Sequence, residues 1–132
     1  MSEQKTFDVA VIGAGPAGLI AGLACAASHL TAVVIGPLAD SRDGRASALL
    51  SGSINLLKRL DVWSNIEPAS EPLHAIRLID ASGALMRAPE VLFDSSEIGL
   101  PAFGYSVANV ALTAALEDAA EARLTRLVSK GA

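Results

Sequence analysis

Charge is missing from one long stretch of this 132-residue chain: no Asp, Glu, Lys or Arg stands between Asp8 and Asp40. A membrane-spanning helix needs about 20 mostly apolar residues in unbroken succession. Gly13, Gly15, Pro16, Gly18, Gly36 and Pro37 cut the stretch into short pieces, and His29 and Thr31 lie within it. No transmembrane segment is therefore expected. A buried parallel strand, a helix and a second buried strand share this composition without a membrane. A signal peptide is not expected either, because Lys5 is offset by Glu3 and the apolar run leads into a glycine turn, not a cleavage site.

Cysteine is almost absent. Cys25 alone excludes an internal disulfide, and with two distant histidines, His29 and His74, it cannot build a Cys/His zinc site. It reads as a small core residue on a helix, and no metal site is expected. The natural setting is a reducing cytoplasm. Aromatic and basic residues are few: one Trp, one Tyr, and ten scattered Lys and Arg under a net charge of −4. That balance argues against nucleic acid as a partner. What is abundant is apolar: hydrophobic residues make up 52% and charged residues 18%. This is a packing sequence with length for one domain and one core, spanning residues 1–132.

The pattern predicts an α/β fold. Phe7 to Ile12 reads as a buried strand, Ala17 to Ser28 as a helix, and Ala32 to Ile35 as a second buried strand ended by Gly36-Pro37. Leu38 to Arg45 is polar and reads as a loop. Ala46 to Leu60 reads as a second helix, and Pro68 and Pro72 mark an irregular connection. Ala75 to Met86 alternates as a β-hairpin turning at Ala81-Ser82-Gly83. Ala88 to Pro101 reads as a loop, Val107 to Glu121 as a third helix, and Leu124 to Val128 as a third parallel strand.

Gly13-Ala14-Gly15-Pro16-Ala17-Gly18 matches G-x-G-x-x-G, after a predicted strand and at the start of a predicted helix. In such a turn the first glycine allows the tight bend and the second lets a pyrophosphate approach the backbone. The third lets helix and strand pack closely. Free N–H groups and the positive end of the helix dipole hold the phosphates without side-chain charge. The bland alternative is a glycine turn that binds nothing. An acidic residue for the ribose hydroxyls is expected about 20 residues on, but that place reads Val34-Ile35-Gly36-Pro37. Asp40 is the nearest substitute in sequence, or a solvated loop residue. An NAD(P)-dependent dehydrogenase should carry an acid or basic pair there, and Ile35-Gly36-Pro37 offers neither.

The glycine turn, with Pro after its second glycine, resembles the FAD version of this fingerprint. Asp43-Gly44-Arg45-Ala46-Ser47-Ala48-Leu49-Leu50-Ser51-Gly52-Ser53, followed by Leu57, Leu60, Val62 and Trp63, resembles a segment of the ubiquinone-biosynthesis hydroxylases, which are aromatic-hydroxylase-like flavoprotein monooxygenases. Gly104-Tyr105-Ser106-Val107-Ala108-Asn109, with Leu112, Ala115 and Leu116, resembles a third segment of that family.

The resemblance implies a Rossmann-like FAD-binding βαβ unit with an added β-hairpin. It implies FAD reduced by NAD(P)H, and dioxygen used to hydroxylate an aromatic quinone precursor. The cofactor carries that chemistry, and no catalytic base or nucleophile is expected from this region. Arg45 would lie near the flavin or its pyrophosphate, as a fixed charge with bidentate donors, and Asn109 near the flavin. The residues alone leave Arg45 as a surface charge before a helix, and Asn109 as a helix cap. Asp61 stands where the family has Gly, and Ala108 where it often has Glu. The family's later FAD and substrate motifs do not occur in these 132 residues. The expectation is therefore an N-terminal fragment, inactive alone and incomplete relative to the family. A greasy quinone precursor would bring the complete enzyme to the membrane periphery. The competing reading is a non-catalytic Rossmann-like nucleotide-binding module.

Overall fold

The computed structural model describes residues 5–38 and 42–128; Asp40 lies outside them. Strand β1 (Val9–Ile12) enters the glycine turn and helix α1 (Pro16–Ala27), which returns the chain to strand β2 (Ala32–Gly36). The two strands are parallel, with Val9 opposite Ala32 and Ile12 opposite Ile35. Asp8 ties their starting ends together: its carboxylate accepts from the Thr31 amide at 2.8 Å and from the Thr31 hydroxyl at 2.6 Å. Helix α1 begins with Pro16 in its first turn, where a missing N–H costs nothing and the fixed φ suits a helix.

The stretch read as one helix from Ala46 divides in two. Ala46–Leu50 is strand β3, and helix α2 spans Ser51–Arg59. Ala and Leu favour helix, but β3 pairs antiparallel along its whole length with β7 (Gly104–Ala108). Its inward residues Ser47 and Leu49 alternate with exposed Ala46, Ala48 and Leu50. Non-local pairing overrides local propensity here. A short helix α3 (Trp63–Ile66) follows, and then β4 (Ser70–Leu73) where an irregular connection was expected. The second sheet has the order β3-β7-β4, so Pro72 lies on an edge strand, the position a proline tolerates.

The hairpin also differs. Strand β5 (Ala75–Leu78) pairs antiparallel with β6 (Val91–Asp94), a strand inside the stretch read as a loop. Residues 79–90 connect them, and the turn at Gly83 (φ 74°) lies within that connection instead of closing the hairpin. Helix α4 (Asn109–Arg123) starts two residues later than its pattern suggested, because Val107 and Ala108 complete β7. Strand β8 (Thr125–Val128) then lies parallel to β2, as expected, giving the first sheet the order β1-β2-β8.

One core joins these parts. Leu19 and Leu23 of α1, Val34 of β2, Leu57 of α2, Trp63 of α3, Val107 of β7, and Leu112 and Leu116 of α4 belong to one buried cluster. Trp63 meets Tyr105 edge-on, ring centres 5.3 Å apart. No helix among the described residues is long and apolar enough to cross a membrane.

Candidate cofactor-binding cleft

The glycine turn, the end of β2, the loop before β3 and the start of α4 converge on a cleft of about 240 Å³. The turn owes its shape to two close approaches. Gly13 takes φ 115° and donates its N–H to the Ile35 carbonyl at 2.8 Å. A Cβ on Gly18 would lie 1.8 Å from the Gly13 carbonyl oxygen, so no other residue fits there without moving backbone. In contrast, a Cβ on Gly15 would meet nothing within 4 Å. Gly15 faces open space in the cleft at the N-terminus of α1, where backbone N–H groups lack helical partners.

The sequence-predicted residues are largely brought together. Ala14, Gly15, Pro16, Arg45 and Asn109 line the cleft, while Gly13, Ala17 and Gly18 shape the turn without lining it. Arg45 does not precede a helix; it leads into β3. Asn109 is not the cap of α4, since Ala108 holds that position and makes no side-chain capping bond. Asn109 instead accepts the Ser47 hydroxyl at 2.6 Å and donates its amide to Asp43 at 3.1 Å.

Asp43 and Thr113, also in the lining, received no role from the sequence. Thr113 was findable, since it stands four residues after Asn109 on the same face of a helix. Asp43 signals itself more weakly, as an acid two residues before an amide it can accept. Its Oδ1 accepts the Arg45 amide at 3.0 Å and Arg45 Nε at 2.8 Å, and its Oδ2 accepts Arg45 Nη2 at 2.9 Å. The Arg45 side chain, then its backbone amide and the Asn109 side chain, hold the Asp43 carboxyl far below the usual carboxylate range. Asp43 in turn raises the Arg45 guanidinium.

The profile of the family described as FAD binding domain matches residues 8–93. The chain belongs to that FAD-binding family. It is 34% identical over 129 residues to the 3-demethoxyubiquinol 3-hydroxylase of Escherichia coli (strain K12), covering 92% of this chain and 32% of that protein. The chain thus spans about a third of that relative's length. Among solved structures, a 2-methyl-3-hydroxypyridine-5-carboxylic acid oxygenase superposes with a TM-score of 0.68 at 20% identity, over 94% of this chain and 32% of that one. The anhydrotetracycline hydroxylase OxyS from Streptomyces rimosus gives 0.69 at 20% identity, over 92% and 24%. A flavoprotein/dehydrogenase from Cytophaga hutchinsonii gives 0.70 at 18%, over 94% and 30%. At these identities the likeness is one of fold.

FAD is the cofactor of this family, and the residues around the cleft suit a diphosphate better than a ribose. The open space over Gly15, the amides of the turn and the guanidinium of Arg45 suit a diphosphate. The end of β2 has no acid for a ribose, and the geometry there is tight. A Cβ on Gly36 would lie 2.5 Å from the Ala14 amide nitrogen and 2.8 Å from the Ala14 Cβ. Pockets for drug-sized ligands run to about 300–1,000 Å³, so a cleft of about 240 Å³ encloses only part of a dinucleotide.

Proposed function

We propose that residues 1–132 are the N-terminal part of the FAD-binding domain of an NAD(P)H- and O2-dependent flavoprotein monooxygenase that hydroxylates an aromatic ubiquinone precursor. The observation that carries this is the meeting of the glycine turn, Arg45 and Asn109 in one cleft. The kinship with a 3-demethoxyubiquinol 3-hydroxylase supports the substrate class. The turn Gly13 to Gly18 would hold the diphosphate through backbone amides, with Gly15 leaving room for it. Arg45 would add a fixed positive charge, and Asn109 an amide beside the flavin-bearing end. FAD, once bound and reduced, supplies the oxygen chemistry. These residues bind and orient it, and none of them is assigned a proton to move. The cleft encloses only part of a dinucleotide, so the chain by itself is expected not to turn over.

A calorimetric titration of the 132-residue chain with FAD, beside NAD and FMN, tests this reading. Binding of FAD in preference to both is the expected outcome. A folded chain that ignores FAD, or prefers NAD, sinks it. NADPH oxidation by the chain coupled to hydroxylation of a phenol would refute the claim of inactivity.

A second reading, a non-catalytic nucleotide-binding module, is favoured by Gly36, where the missing acid weakens recognition of the adenosine ribose. It predicts that ADP alone binds as tightly as FAD.

A further inference from the structure

A carboxylate in a cleft built for a diphosphate is at first sight an obstacle. Asp43 lines the same cleft as Gly15 and Arg45, and like charges there oppose binding. Its bonds show another use. Oδ1 and Oδ2 take Nε and Nη2 of Arg45, the two donors on one edge of the guanidinium. Nη1 makes no hydrogen bond to the described residues, so the other edge, Nη1 with the second proton of Nη2, stays available. Oδ2 also takes the amide of Asn109, whose carbonyl oxygen accepts from Ser47. One carboxylate thus connects the loop before β3 to the first residue of α4. It holds two cleft donors, 64 residues apart in sequence, in a fixed relation. Arg45 needs such a hold, because its side chain is 82% exposed against 22% for Asp43, and a free arginine loses much rotamer entropy when it engages a ligand.

We propose that Asp43 is the positioning residue of this cleft, setting the Arg45 guanidinium and the Asn109 amide for a diphosphate-bearing ligand. The assignment rests on the FAD reading above and adds to it a residue that makes no favourable contact with the anion itself.

The test exploits a difference in sign. D43N removes a negative charge from an anion site at almost constant shape. Were Asp43 only a neighbouring charge, FAD and inorganic pyrophosphate would bind D43N more tightly. As a positioning residue, its loss weakens both by about tenfold, the scale of one charge-assisted hydrogen bond. Titrations of the unaltered chain, D43N, R45A and D43N/R45A by calorimetry read this directly. The expected result is a weakened D43N whose defect largely disappears in the R45A background, because Asp43 acts mainly through Arg45. Equal or tighter binding by D43N overturns the assignment while leaving the FAD site standing. A D43N defect of the same size with and without Arg45 also overturns it, since Asp43 would then not act through the Arg45 guanidinium. If the unaltered chain binds neither FAD nor pyrophosphate, the FAD reading falls and the assignment falls with it.

Discussion

Among the described residues, two other than glycine occupy the left-handed region of backbone space, His29 at φ 60° and Asp61 at φ 56°. Both end helices in the same way. After α1, the amide of Leu30 reaches the Cys25 carbonyl and that of His29 reaches Ala26. After α2, Val62 reaches Leu57 and Asp61 reaches Lys58. This paired closure is the Schellman motif, and its left-handed position is usually glycine. Asp61 therefore carries the conformation for which the resembling family uses Gly. D61G is expected to stabilise the chain by about 1 kcal/mol, the strain of a left-handed non-glycine residue, and to raise the thermal midpoint by about 2–8 °C. An unchanged or lower midpoint in a calorimetric scan would show that Asp61 is not strained. Gly36 leads to a prediction of opposite sense. Restoring the absent acid as G36E would force a Cβ into the Ala14 backbone. It is expected to weaken FAD binding in a titration, and a gain in affinity would show that the turn yields to the new side chain.

Among the elements, the connection between β5 and β6 has an internal anchor. Asp80 accepts the amides of Ser82 and Ala88, each at 2.9 Å. The Ser82 side chain, then the amides of Ala88 and Ser82, lower its carboxyl to about 2 from an ordinary 3.8. The sign follows from linkage: a carboxyl lowered in the folded state contributes fully above its unfolded value and is lost as pH falls through its folded one. The loop is thus held at every pH above about 4, and its anchor fades as pH falls through about 2. An NMR titration of the Asp80 carboxyl should show a midpoint near 2; a midpoint at the ordinary 3.8 would mean the loop is not held. The anchor cannot substitute for packing. Leu85 and Met86 within the connection are fully or almost fully exposed, and Ile76, Leu78 and Phe93 of the paired strands are exposed as well.

Across the whole molecule, both three-stranded sheets share one buried cluster, to which the β5–β6 pair contributes no residue. Leu116 is a member of that cluster with no exposure. Truncation to alanine leaves a cavity within that cluster, and L116A is expected to cost about 2–5 kcal/mol. Trp63 fluorescence and far-UV circular dichroism should then unfold together at a lower denaturant midpoint, because one core serves both sheets. Separate midpoints for the two signals would show that the sheets unfold independently.

The first parallel unit was legible because its signals are local. An uncharged run, glycines at fixed spacing and the Gly-Pro stop after β2 each act within a few residues, so β1, α1 and β2 followed from the chain itself. The parallel place of β8 followed from the logic of that same unit. Tertiary structure alone decided the second sheet. Ala46 to Leu50 has helical propensity and becomes a strand because β7, more than fifty residues later, supplies its hydrogen bonds. β5 likewise finds its partner beyond its own turn residues. In the cleft, glycine spacing pointed to the turn, and the family resemblance, not residue type, pointed to Arg45 and Asn109. The clasp of Asp43 on both side chains was not readable, because a bond spanning 66 residues exists only once β3 and β7 have paired and set the start of α4 beside the loop.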